Sequence, residues 1–197
     1  MLFRSGRASV ELKGRELGYD LSGDKAAIAR VTDRVKDLEA AGYTFEAADA
    51  SFELLLRDEL GQRREYFAVE SWRVIVERHP DSRMTSEATV RLTAKGERLV
   101  AVGEGNGPVN ALDKALRAAL EQLYPELASL ELTDYKVRIL AGTHGTGAVT
   151  RVLIESGDGS GDTWSTVGVD ENIIEASWHA LEQAVTYLLL RSGREPT

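Results

Sequence analysis

The chain is written twice. Val102-Gly103 leads into Gly105-Asn106-Gly107-Pro108 and an alanine-rich stretch, and Val167-Gly168 leads into Asp170-Glu171-Asn172-Ile173-Ile174 and another. At an offset of about 65 residues, Ala111 matches Ala176, Ala115 matches Ala180, Leu116 matches Leu181, Ala119 matches Ala184 and Leu123 matches Leu188. Small and large apolar positions fall at helical spacing in both copies, so the two helices present the same packing face. Three strand-like segments precede each helix, which makes the repeat a βββα unit. One unit alone would leave a sheet face and a helix stripe bare, so two units, or two chains, are expected to stack. Two equivalent helix starts can then face each other across a pseudo-twofold axis. That geometry suits a ligand pocket at a seam.

The strands show in a period of two. Trp72, Val74 and Val76 alternate with Arg73 and Glu77, and Ala88, Val90, Leu92 and Ala94 alternate with Thr89, Arg91 and Thr93. Lys95 to Arg98 reads as a turn and Leu99 to Val102 as a third strand. A helix from about Pro108 to Tyr124 closes the first copy. Pro108 sits in its first turn, where a missing N–H costs nothing, and Pro125 stops it. In the second copy Val137 and Ile139 alternate with Lys136 and Arg138. Val149 to Glu155 is a strand, Gly157–Gly161 a loop, Trp164 to Val169 a strand and Asn172 to Leu190 a helix. The tail after Ser192 is expected to be disordered.

Ahead of the repeats the period is helical. Residues 1–23 are glycine-punctuated and read as a linker with one short helix. Ile28, Val31, Val35 and Leu38 then form an amphipathic stripe that Gly42 can end as a C′ residue. Phe45, Ala48, Phe52, Leu55 and Leu56 form a second stripe that stops near Gly61. Two such stripes joined by a short turn make a helical hairpin. The fold class is therefore α+β. A linker and helical hairpin subdomain over 1–62 precedes a duplicated βββα domain over 66–191, with repeats at about 66–125 and 130–191.

Composition narrows the function classes. With no cysteine, disulfides, thiolate nucleophiles and cysteine-ligated zinc are excluded. A net charge of −8 with scattered arginines opposes a polyanion, so nucleic acid is not an expected partner. No apolar run approaches the roughly 20 residues that span a bilayer, and the first residues lack the apolar core of a signal peptide, so no membrane role and a cytoplasmic location are expected.

The chemistry-bearing residues are few. His79, His144 and His179 show no metal-ligand spacing, and no metal is expected. His179, inside the last helix beside Trp178, reads as a packing residue. His144 lies in the turn Gly142-Thr143-His144-Gly145-Thr146-Gly147, whose glycines let backbone approach a ligand closely; a plain hairpin tip fits as well. Gly103 to Pro108 lacks the GxGxxG spacing and parallel βαβ setting of a dinucleotide site, and no P-loop occurs. What both copies do offer is a strand ending at a helix N-terminus with free N–H groups, which attracts carboxylates. Asp170 and Asn172 are N-cap candidates there. An amino acid could present its carboxylate to the helix and its ammonium to Asp170. Its side chain would then enter an apolar pocket of Ile173, Ile174 and Val149. Caps and core alone are the plainer alternative. The charges around Glu46, Glu53, Arg57, Asp58, Arg63, Arg64 and Glu65 read as a solvated face. No nucleophile, base and orienter come together, so no catalytic residue is assigned.

Several stretches carry a family resemblance. Glu46 to Leu55, GNGPVNALDKAL (Gly105 to Leu116), Asp134 to Arg138 and Val167 to Trp178 resemble the C-terminal half of citramalate synthases. Ser5 to Val10 resembles the segment leaving the catalytic barrel in the wider 2-isopropylmalate and homocitrate synthase family. The likeness covers essentially the whole chain. It implies a parent transferase that condenses acetyl-CoA with pyruvate in an N-terminal TIM barrel holding a divalent metal, in isoleucine biosynthesis. That barrel is missing here, so the chain is expected to be a piece of a longer protein, without a cofactor of its own. The resemblance implies a homodimer in which the duplicated domain binds a branched-chain amino acid as feedback inhibitor, isoleucine first and leucine second. By position the effector would lie at His144, Gly145, Thr146, Gly147, Ala148 and Val149 and at Asp170, Asn172, Ile173, Ile174 and Ala176. Asn106 and Pro108 would be the counterpart in the first copy. A leucine-sensing 2-isopropylmalate synthase region, or a dimerisation module without an effector, are the alternatives.

Overall fold

The computed structural model describes residues 6–140 and 148–196. Helices α1 (Arg7–Glu16), α2 (Lys25–Ala40) and α3 (Asp49–Glu59) come first. Strands β1 (Ala68–Arg78), β2 (Met84–Ala94) and β3 (Glu97–Gly105) then lead into α4 (Pro108–Leu120). After a 3-10 turn at Pro125–Ser129, β4 (Glu131–Ile139), β5 (Thr150–Gly157) and β6 (Thr163–Asp170) lead into α5 (Ile173–Arg191). Each sheet is a three-stranded antiparallel meander in chain order. The α+β class and the duplicated βββα order are those that the periodicity predicts.

In the first sheet Trp72 stands opposite Val90, and Val90 opposite Ala101. Side chains alternate across a strand. Ala88, Val90, Leu92 and Gly103 therefore share the face under α4, while Thr89, Arg91, Val100 and Val102 share the other. Gly103 has a packing reason: a Cβ there would stand 2.5 Å from the Ala115 nitrogen and 2.6 Å from the Ala111 carbonyl oxygen. In the second repeat a Cβ on Gly168 would overlap the Ala176 carbonyl oxygen and come within 3.1 Å of the Ala180 nitrogen. Glycine on the strand and alanine on the helix let the two backbones meet. These are the alanines that recur in the duplicated pattern.

The described residues divide into two compact units. One runs up to Arg63 and includes Asp134–Glu155 and Trp164–Gln183; the other comprises Arg64–Thr133, Ser156–Thr163 and the chain from Ala184 onward. In the first unit α1–α3 share a core with β6. Val10, Ile28, Val31, Val35, Phe45, Ala48, Phe52 and Leu56 are buried together with Val167 and Val169. Asp24 caps α2 by accepting from the Ala27 N–H at 2.8 Å, and Gly42, at φ 109°, ends it. Buried Lys13 ties α1 to the start of α3, donating to the Phe45 carbonyl at 2.7 Å and to the Asp49 carboxylate.

In the other unit α4 covers the first sheet with fully buried Ala111, Leu112, Ala115 and Leu116. The Tyr124 hydroxyl donates to the Tyr66 carbonyl at 2.8 Å. Three features differ from the expectations. Helix α4 ends at Leu120, because the chain closes into the 3-10 turn instead of running helical to Tyr124. Phe45 and Ala48 lie ahead of α3, buried as an entering segment rather than as helix. The tail beyond Ser192 is tied down rather than loose: the Arg194 carbonyl accepts from Arg64 and from the Tyr66 hydroxyl, each at 3.1 Å, and its guanidinium meets Glu126.

Candidate functional site

The start of α5 is built by two short polar side chains in series. The Asp170 carboxylate accepts from the Asn172 N–H at 2.7 Å, and the Asn172 side-chain oxygen accepts from the Ile174 N–H at 2.9 Å. Asn172 is thus the N-cap, and Asp170 braces the turn that delivers it. Ile173 is 44% exposed, high for a large apolar side chain on a first helical turn. Ala176 is fully buried, with its carbonyl against Gly168. Ser177, one turn into the helix, is held from β4 by the Tyr135 hydroxyl at 2.7 Å. Ala148 is buried and Val149 half-buried.

The helical segment reaches the same strands. A Cβ on Gly42 would run into Leu140 and stand 3.3 Å from Val169 and 3.8 Å from Val149. The Gly42 carbonyl accepts from Arg151 Nε at 2.5 Å. Tyr43 accepts the Val169 N–H, and burial raises its phenol pKa above the ordinary value. Ser51 of α3 accepts the Val167 N–H at 2.9 Å and donates to Gln183 at 2.5 Å, while Gln183 donates to the Val167 carbonyl at 3.0 Å. One α3 hydroxyl and one α5 amide thus satisfy the edge of β6, the place where a sheet is otherwise open to mispairing.

Of the predicted site residues, Ala148, Val149, Asp170, Asn172, Ile173, Ile174 and Ala176 fall in this one unit. Asn106 and Pro108 belong to the other. There the start of α4 is made differently: Gly107 is its N-cap with no side-chain bond, and the Asn110 side chain accepts back from the Asn106 N–H at 3.3 Å. His144, Gly145, Thr146 and Gly147 lie outside the described residues. His179 is no core residue; it is partly exposed and its Nε2 meets Glu175 at 3.0 Å. His79 Nε2 meets the Thr85 hydroxyl at 3.1 Å. Among the described residues no three acidic or histidine side chains cluster to hold a metal, and no helix is long and apolar enough to cross a membrane. The sequence reading missed Tyr43, Ser51 and Gln183. A signal existed for Ser51, which lies on the apolar stripe, one turn from Leu55 and next to Phe52.

Residues 46–189 match the family model described as the LeuA allosteric (dimerisation) domain. The chain belongs to this family. Among curated relatives, the (R)-citramalate synthase of Streptomyces coelicolor is 65% identical over 98% of the chain and 36% of its own length. The (R)-citramalate synthase of Aquifex aeolicus is 46% identical over 97% of the chain and 36% of its own length. The 2-isopropylmalate synthase of the same organism is 31% identical over 95% of the chain and 33% of its own length. The chain thus spans about a third of the length of the curated relatives it matches.

Proposed function

We propose that this chain is the effector-binding and dimerisation part of a citramalate synthase that works in isoleucine biosynthesis in the cytoplasm. On this reading residues 1–62 are the linker and helical hairpin that join a catalytic barrel to the duplicated domain at 66–191. The acetyl-CoA and pyruvate chemistry, with its metal, belongs to that barrel, and the chain assembles as a homodimer. The observation that carries the reading is the match to an allosteric dimerisation domain combined with similarity, over nearly all of this chain, to about a third of the length of (R)-citramalate synthases, at up to 65% identity among the relatives named. Exposed Val100, Val102 and Ile75 on the outer face of the first sheet give a second copy apolar surface to cover.

The effector is isoleucine, with leucine as the second candidate. Its carboxylate would meet the N–H groups at the start of α5, and its side chain would pack on Ile173 and Ile174. A thermal-shift titration with isoleucine, leucine and valine tests this, because a ligand at 100 times its Kd stabilises the folded chain by about 2.7 kcal/mol. Isoleucine alone should raise the Tm, and Ile173→Asp should abolish the rise. No shift with any of the three leaves a dimerisation module without an amino-acid effector.

A further inference from the structure

Among the described residues, a pair of arginines on the second sheet has no ion-pair partner. The Leu140 N–H donates to the Val149 carbonyl at 2.9 Å across antiparallel strands, and counting back along β4 sets Arg138 directly opposite Arg151. Like charges in this position repel and destabilise a sheet. Two other cations on the sheets are neutralised by a neighbouring carboxylate. Arg98 on the first sheet forks onto Glu70 at 2.9 Å to both oxygens, and Lys136, on the same face as Arg138, takes Asp134. Among the described residues no carboxylate makes an ion pair with Arg138 or Arg151. Arg151 is also half-buried and anchored: its Nε is spent on the Gly42 carbonyl, which leaves the two terminal nitrogens for other partners. Burial and the Arg138 charge both press its pKa below the usual arginine value. A chain of net charge −8 that keeps two unneutralised guanidiniums side by side has a local field opposite to its own mean.

We infer that Arg138 and Arg151 form a binding site for a small dianionic oxyanion, a phosphate group or a dicarboxylate, on the face of β4 and β5 opposite α5. The planar fork of Arg138 and the remaining end of Arg151 together offer more donors than a single carboxylate needs, which favours a ligand with three or more oxygens. The site is separate from the start of α5, because residues 138 and 151 point to the sheet face opposite the one that carries Tyr135 toward Ser177.

The test is a thermal-shift and calorimetric titration of the 197-residue chain with inorganic phosphate and, in a separate arm, succinate. Sodium chloride of equal ionic strength is the reference. With about 10 mM ligand and millimolar affinity, the Tm should rise by about 2–5 °C over chloride. Arg138→Gln should lose that rise and, with no anion added, melt no lower than the parent chain, because the substitution removes a repulsion. Arg151→Gln should lose the rise as well. A response to phosphate alone identifies a phosphate site, and a response to succinate alone a dicarboxylate site. Equal curves in phosphate, succinate and chloride overturn the inference, and so does a rise that survives in Arg138→Gln.

Discussion

Val102 and Val167 occupy the same position in the two repeats and meet opposite fates. Val102, on the outer face of the first sheet, is 54% exposed, whereas Val167 is fully buried. Each strand presents the same side chain in the same alternation, and each sheet carries its helix on the other face. The difference is the helical segment. Within its own unit, β6 is roofed by Phe45, Ala48 and Phe52 and pinned by Ser51 and Tyr43. The first sheet keeps Val100, Val102 and Ile75 in the open. A duplicated sequence thus yields one third strand covered on both faces and another covered on one. Burial at a strand position is decided by what lies across from it, not by the local pattern.

The comparison can be strained first where the repeats agree. Gly168→Ala should cost more than about 3 kcal/mol and Gly103→Ala about 2–3 kcal/mol, because each Cβ meets helix backbone that cannot swing aside. Chemical denaturation measures both, and a cost below 1 kcal/mol at either site would show that the helix can lift. Valine-to-alanine changes sharpen the contrast itself. Val167→Ala should lose about 2 kcal/mol to an unfilled space, and Val102→Ala should stay within about 0.5 kcal/mol. Equal losses would mean that Val102 is covered in solution, as an interface between two copies would require.

Ser51→Ala should cost about 1–3 kcal/mol, since it strands the buried Val167 N–H. Among the described residues no side chain bonds the Val102 backbone in this way, so hydrogen exchange should accelerate at Val167 and leave Val102 unchanged. Asn172→Ala removes the cap of α5 and should cost about 1 kcal/mol. The uncapped start of α4 has no such side chain to lose.

The smallest expected effect is one of pH. Burial raises the pKa of the Glu182 carboxyl above its ordinary value, against the pull of His179 and Arg63. A carboxyl raised in the folded state favours folding while protonated, and that contribution fades as pH climbs from the ordinary glutamate value through the folded one. Glu182→Gln should therefore melt higher than the parent chain at neutral pH and no higher well below pH 4. A melting difference independent of pH would rule out this ionisation as the cause.

Much of this architecture was legible beforehand, for identifiable reasons. Period-two and period-3.6 apolar spacing act locally, so the strands, the two repeat helices and the α2 stripe could be read directly. Gly42 as the end of α2 followed from its conformational freedom alone. At the start of α5, Asp170 and Asn172 were readable as caps because their hydrogen bonds reach only two residues along the chain. Ser51, Gln183 and Tyr43 were not, since their partners lie more than a dozen residues away. The Arg138–Arg151 pairing likewise needs the strand register, which the alternation of either strand leaves open.

The amino-acid sequence by itself determined the repeat, the secondary elements and the small residues where helix meets strand, because these rest on short-range geometry and on matched volumes one turn apart. Only the tertiary structure decided which third strand receives a second cover, which polar groups close the edge of β6 and which charges face each other. Those outcomes depend on contacts between segments far apart in the chain, and no local pattern encodes the partner across the gap.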